Sequence, residues 1–134
     1  MSHPETASLE ASLLERLAVQ RDLTGVDLSG KDLRGFDFYR VNLEAANLAG
    51  SNLQGTTLIG ANLTRANLKG AQLQQADLRG VALTQADVSD ADLTGAFMHR
   101  ADVQGTNFSR ANLDAAKLNI VLYDEHTQWP EGFR

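Results

Sequence analysis

The sequence of 134 residues contains no cysteine, so neither a disulfide nor a thiolate metal site can form. Such a chain is compatible with a reducing compartment. No apolar run approaches the roughly 20 residues that a membrane-spanning helix needs. The first residues, from Met1 to Thr6, lack the basic and apolar regions of a secretory signal. We therefore expect a soluble, cytoplasmic protein that has no membrane segment.

Basic residues are too few to make the whole surface positive. Twelve Lys and Arg stand against seventeen Asp and Glu, which gives a formal net charge of -5. Binding to a phosphate backbone depends on clustered positive charge. We therefore expect no direct nucleic acid binding, whereas an acidic surface remains compatible with the composition.

What the sequence does contain is one short repeat. Twenty consecutive five-residue units run from residue 21 to residue 120, and the third residue of every unit is apolar, with Leu in fifteen of them. The first residue is Ala in eleven units, and the second is Asp or Asn in fifteen. Ten of the eleven glycines stand at the fifth position. Most of the chain therefore builds a scaffold.

Each unit predicts a very short strand that is followed by a corner. The first three residues alternate between inward and outward positions, and a glycine at the fifth tolerates a positive φ. A helix is excluded, because steps of five residues would wind the leucines around its whole surface. If each corner turns by about a right angle, four units close one coil and residues twenty apart stack at about 4.8 Å. We predict an all-β solenoid of about five coils over residues 21–120, too narrow inside for a cofactor.

The units at 61–65 (ANLTR), 76–80 (ADLRG) and 91–95 (ADLTG) match the A(D/N)LXX consensus of the pentapeptide repeat family. The chain resembles that family over about three quarters of its length, residues 21–120. The resemblance implies a right-handed quadrilateral β-helix with four faces. Four units per coil, as predicted from the corners, agree with this expectation.

The two ends predict caps for the solenoid, whose terminal coils would otherwise expose apolar surface. Residues 1–20 read as a helical N-terminal cap: Ser2 and Glu5 fit a capping box, and Leu9, Leu13 and Leu17 share one helix face. Membrane binding by this helix is the weaker alternative, because its polar face carries more acidic than basic residues.

Residues 121–134 form an apolar tail that we predict to be a C-terminal cap or lid. The segment 123–133 resembles terminal segments of pentapeptide repeat proteins of cyanobacterial type. Trp129 can anchor either an intramolecular lid or a dimer, and we favour the lid. We expect a monomer, with dimerisation through the tail as the alternative.

The second residues of the units test the surface for chemistry. When they are stacked at a spacing of twenty, no Asp lies on another Asp, so no shifted carboxylate pair and no row of calcium ligands is predicted. His3, His99 and His126 are too scattered in the sequence for a metal cluster. We expect Asp and Asn to hydrogen-bond to the turn backbone and to each other in ladders. The protein is predicted to be no enzyme, with no catalytic, cofactor or metal site.

One face departs from the repeat and is the candidate partner-binding surface. This fourth face comprises residues 36–40, 56–60, 76–80, 96–100 and 116–120, and its charge comes to +2. Protein-binding patches combine apolar and basic residues in this way, although scattered apolar residues are also normal on any surface. The candidate residues are Tyr39, Ile59, Arg79, Phe97, His99 and Arg100. Of these, Tyr39, Ile59 and Phe97 are expected to be exposed apolar groups.

We interpret the protein as a non-enzymatic structural or protein-interaction scaffold whose partner is another protein. Some pentapeptide repeat proteins are acidic DNA mimics that bind DNA gyrase, and this is the alternative function. Mimicry requires an extended run of negative potential. The other three faces come to -1 each and the two ends to -2 each, so the alternative ranks second.

Overall fold

The computed structural model describes residues 11, 13, 15–17 and 19–133. The described helical residues lie between 11 and 19, and the chain turns at Gln20 before the first repeat unit. The predicted capping box of Ser2 and Glu5, as well as Leu9, lie outside the described residues. Within the described ranges, no helix is long and apolar enough to cross a membrane.

From Asp22 onward, the chain pairs with itself in parallel at a spacing of twenty residues. Isolated bridges join the second residue of each unit to the second residue four units later, from Asp22 with Asn42 to Phe97 with Lys117. Each regular pairing carries backbone hydrogen bonds; the Leu43 N–H, for example, donates to the Asn62 carbonyl at 2.8 Å. Because a corner follows every bridge, residues 19–133 contain no longer strand. Five stacked levels result, which we number from 21–40 to 101–120.

The corners are made by the fifth residue of each unit. All twenty of these residues have a positive φ, between 56° and 91°. Ten are the glycines on which the prediction of corners rested, and these corners are confirmed. The other ten adopt the same left-handed backbone with a side chain, which costs about 1 to 2 kcal/mol each. They are Arg40, Ala45, Arg65, Gln75, Gln85, Asp90, Arg100, Arg110, Ala115 and Ile120.

The Asp and Asn side chains stabilise these corners. At all fifteen second positions that carry Asp or Asn, Oδ1 accepts the backbone N–H two residues later, as it does from Thr64 to Asn62 at 3.0 Å. The predicted local bonding is therefore confirmed. The predicted ladder between side chains is largely wrong: among the described residues, the one Asn to Asn bond joins Asn62 Nδ2 to Asn42 Oδ1 at 3.4 Å. Each Oδ1 is already engaged in its own turn.

The core is the stack of third residues. From Leu23 to Leu113 they are all buried, whereas Leu118, in the last unit, is half-buried. Leu13 and Leu17, described residues of the helix, belong to the same buried cluster. The first level is not fully enclosed, because Phe36 is half-buried there.

Arginines cover part of the open edge of the first level. The Arg21 guanidinium donates to the carbonyls of Tyr39 at 2.9 Å and Asp37 at 3.2 Å. Arg16 donates to the Asp22 carbonyl at 3.0 Å. In later levels, equivalent carbonyls accept N–H groups of the preceding level. The charged residue at the first position of the repeat therefore satisfies backbone acceptors that no level covers.

At the other end, the pairing continues past residue 120, where the five-residue spacing stops. Asp102 pairs with Leu122 at the usual spacing, and Asn107 pairs with Gln128, one residue further than the repeat requires. The Trp129 ring stacks on Phe108 at 5.3 Å between centroids and on Phe133 at 5.0 Å. The tail thus lies over two of the four faces of the last level.

Candidate protein-binding face

The fourth face presents its candidate residues along the direction in which the levels stack. Tyr39, Ile59, Arg79 and His99 are fourth residues of successive units on this face, and Phe97 is bridged to Asp77 and Lys117. Tyr39 is 46% exposed and Phe97 is 38% exposed, as predicted.

Ile59 is half-buried, so its predicted exposure is wrong in degree. It has a level on either side of it, whereas Tyr39 belongs to the first level and lacks a covering neighbour on one side. Ile59 therefore adds apolar surface to the face but does not protrude from it.

Two carboxylates on the face are already paired. The Arg79 guanidinium donates two hydrogen bonds to Asp77, at 2.8 Å from Nε to Oδ1 and 2.7 Å from Nη2 to Oδ2. This side-chain hydrogen bond is the main reason that the pKa of Asp77 lies below its ordinary value. Asp37 Oδ1 lies 4.0 Å from Arg21 Nη2. Arg79 is therefore neutralised within the face, which the sequence did not indicate.

The remaining cations of the face have no such partner. Among the described residues, Arg40, Arg100 and Lys117 make no ion pair. The Arg40 guanidinium carbon lies 6.0 Å from the centre of the Tyr39 ring, within the range of a cation–π contact. The surplus charge on this face is positive, although the protein as a whole is acidic.

A shallow depression of about 520 Å³ lies beside Arg100 on this face. It is lined by Ile59, Arg79, Gly80, His99 and Arg100. Sequence reasoning named four of these residues but missed the glycine. Reading the fifth residues of this face at a spacing of twenty, as Arg40, Gly60, Gly80 and Arg100, would have revealed it.

Two serine side chains are engaged in their own turns. Ser29 Oγ donates to Asp27 Oδ1 at 2.7 Å, and Ser89 Oγ donates to Asp87 Oδ1 at 2.6 Å, so neither hydroxyl faces a histidine base. His99 Nδ1 is buried without a hydrogen-bond partner in the described part of the chain. Over the same residues, no group of three or more His, Asp or Glu is placed to hold a metal ion.

A family model for pentapeptide repeats matches the chain with eight copies, over residues 22–55, 42–80, 71–110 and 83–119. No curated protein matches the chain significantly. QnrB1, described as a plasmid-mediated fluoroquinolone resistance protein, matches in structure with 16% identity and a TM-score of 0.57, over 78% of this chain and 59% of its own. At that identity the likeness is one of fold alone.

Three solved pentapeptide repeat proteins are more similar in sequence. One from Nostoc is 34% identical with a TM-score of 0.69, over 92% of this chain and 87% of that one. One from the Arabidopsis thaliana thylakoid lumen is 38% identical with a TM-score of 0.68, over 70% and 66% of the two chains. One from the cyanobacterium Cyanothece is 27% identical with a TM-score of 0.56, over 90% and 99%. With its repeat units matched from residue 22 to residue 119, this chain belongs to the pentapeptide repeat family.

Proposed function

We propose that the protein is a non-enzymatic scaffold that binds another protein through its fourth face. One observation carries the proposal: within residues 21–120, the exposed large apolar side chains are Tyr39, Phe97 and Ile120, and all three lie on this face. Aromatic residues and arginine are enriched at protein interfaces and supply much of their binding energy. The surplus cations Arg40 and Arg100 lie beside them.

The proposed architecture that presents this face is a right-handed quadrilateral β-helix of about five coils. Its support is the parallel pairing at a spacing of twenty residues. We further propose that residues 1–20 cap the first coil, because Leu13 and Leu17 are buried in its core. The tail acts as a lid through Trp129, which stacks on Phe108, and the protein is a monomer.

The test is affinity capture with the native protein and with variants of the face. Phe97→Asp and Ile59→Asp place a charge among the apolar residues and should each remove partners from the captured set. Gln72→Asp is the matched control, because Gln72 is an exposed second residue on another face. Identical partner lists for all four proteins would contradict the proposal, provided that the variants unfold at the same temperature as the native protein.

The alternative, a DNA mimic that binds DNA gyrase, has no observation in its favour beyond the shared fold. A mimic needs continuous negative potential, whereas the fourth face carries surplus positive charge and its carboxylates are paired. A supercoiling assay distinguishes the two functions. We expect neither inhibition nor protection of gyrase at a high excess of this protein.

A further inference from the structure

The shallow depression of the fourth face lies beside the column of fifth residues, which follows the direction in which the levels stack. We call the strip along this column, from Arg40 to Arg100, the groove. Its fifth residues are, in order, Arg40, Gly60, Gly80 and Arg100. Of these, Gly80 and Arg100 line the depression. No atom within 4 Å would meet a Cβ built on Gly80. At Gly60 a Cβ would stand 3.2 Å from Arg40 Cγ, so the stem of this arginine already reaches towards the groove. Three steps of about 4.8 Å place the two arginine backbones about 14 Å apart.

The sides of the groove supply the apolar contact. Ile59 is half-buried and lines the depression together with His99. Arg79 also lines it, but its guanidinium is hydrogen-bonded to Asp77. Arg79 therefore offers the groove its aliphatic stem and no free charge. The groove therefore has an apolar middle with one unpaired cation at each end.

We propose that this groove binds an extended acidic segment of a partner protein, with an acidic, an apolar and an acidic residue at alternate positions. The inference rests on the proposed function and specifies its partner. Residues of an extended strand advance about 3.4 Å each, and alternate side chains point to the same side. Two acidic residues four apart thus span about 14 Å, which matches Arg40 and Arg100, and the residue midway between them meets Ile59.

Charge favours a short acidic peptide over a nucleic acid strand. The protein carries a net charge of -5, so a long polyanion is repelled by the remainder of the surface. A segment with two carboxylates needs only the two arginines. Arginine binds carboxylates through two parallel hydrogen bonds, which adds geometric selectivity to the attraction.

The experiment measures fluorescence anisotropy of a labelled peptide, Gly-Ser-Glu-Ser-Leu-Ser-Glu-Ser-Gly, with the full-length protein at low ionic strength. We expect binding that weakens with added salt and falls at least about tenfold for the Arg40→Gln, Arg100→Gln double variant. The matched control is Arg65→Gln with Arg110→Gln, which changes the net charge equally on other faces and should alter affinity less than about twofold.

A second variant tests the groove without changing charge. Gly80→Gln places a side chain in the groove, and its backbone is one that Gln75 and Gln85 already adopt, at φ values of 62° and 60°. We expect this variant to fold and to lose peptide binding. Binding that is unaffected by Gly80→Gln, or by loss of both arginines, overturns the proposal.

Further outcomes identify the occupant. A peptide with Gln in place of both Glu should not bind, and a peptide with its two Glu adjacent should bind more weakly. Equal binding of the Gln peptide, or tighter binding of a labelled single-stranded oligonucleotide, overturns the acidic segment as ligand. If capture still depends on Phe97 while the acidic peptide fails to bind, the inference fails and the proposed function stands. If capture is indifferent to Phe97→Asp, the proposed function itself fails.

Discussion

Asp124 Oδ1 accepts a hydrogen bond from the Gly105 N–H at 3.0 Å. At the same corner of the preceding level, the Gln85 N–H donates instead to a backbone carbonyl, that of Gln104, at 3.0 Å. The same Asp124 oxygen also accepts the His126 N–H at 2.9 Å. A side chain therefore replaces a backbone acceptor where the tail inserts one residue relative to the repeat. The carboxylate joins the irregular tail to the regular ladder.

Replacement of this carboxylate should loosen the tail. In Asp124→Ala, the Gly105 and His126 amides lose their acceptor, so we expect faster hydrogen exchange at both and a change in Trp129 fluorescence. Glu125→Ala is the control, because Glu125 is exposed and its only ion pair among the described residues is with His126. Unchanged exchange at Gly105 in Asp124→Ala would show that the carboxylate does not hold the tail.

Acid should destabilise the protein through its turn carboxylates. The Arg34 side chain donates to Asp32 at 2.9 Å from both Nε and Nη2, and this lowers the pKa of Asp32 from 3.8 to about 2. Because the pKa of Asp32 is lowered in the folded state, its ionised carboxylate stabilises the protein at pH values above 3.8. This contribution is lost as the pH falls from 3.8 towards about 2.

The measurement is the urea midpoint at about pH 6 and at about pH 3. In Asp32→Asn the turn hydrogen bond can persist, as it does at Asn52, but the titrating group is gone. We expect the midpoint of Asp32→Asn to fall less between the two pH values than that of the native protein. An equal fall in both proteins would mean that Asp32 contributes nothing to acid sensitivity.

Truncation of one third residue in the middle of the stack should be costly. Leu63 is fully buried, and Leu63→Ala should lower the free energy of unfolding by about 2 to 5 kcal/mol, because a cavity replaces packed methyl groups. Leu122→Ala removes the same atoms from a side chain that is 55% exposed and should cost much less. Chemical denaturation of both variants checks the difference, and a near-zero loss for Leu63→Ala would contradict its assignment to the core.

Glycine should stabilise a corner that lacks it. Ala45 has a φ of 58°, and Ala45→Gly removes a strained Cβ, so we expect a gain of about 1 kcal/mol. Ala49 precedes the corner of the next unit and has no positive φ, so Ala49→Gly should instead cost about 0.5 to 1 kcal/mol. Thermal unfolding of the pair provides the comparison. Equal shifts of the same sign would show that backbone strain at Ala45 is negligible.

Much of the fold was predictable because each unit repeats the same pattern of apolar, polar and turn residues. Leu63 is apolar in a frame of five, so its burial followed from periodicity alone. The turn bond of Asn62 followed from the known preference of Asn and Asp for the backbone two residues on. Glycine marked only half of the corners, because pairing with the next level imposes a left-handed backbone on residues such as Gln75 as well.

The candidate face was predictable only in outline. Stacking at a spacing of twenty located Tyr39, Phe97 and Arg100 on one face. It did not show that Arg79 turns to its own neighbour Asp77, because rotamers and hydrogen-bond partners are decided between side chains in space. It also did not show that Ile59 is half-buried, because burial within a column depends on the side chains above and below.

By itself, the sequence determined the register: a five-residue period places the third residue of each unit inside and brings residues twenty apart together, since such stacking buries the apolar third residues in one continuous core. Only the tertiary structure decided the exceptions. Trp129 stacks on Phe108 although the tail carries one extra residue relative to the repeat, and Arg21 donates to a backbone carbonyl at the open edge of the first level. Both contacts join parts of the chain that share no period, so they depend on which apolar rings and unpaired backbone groups meet at the two ends.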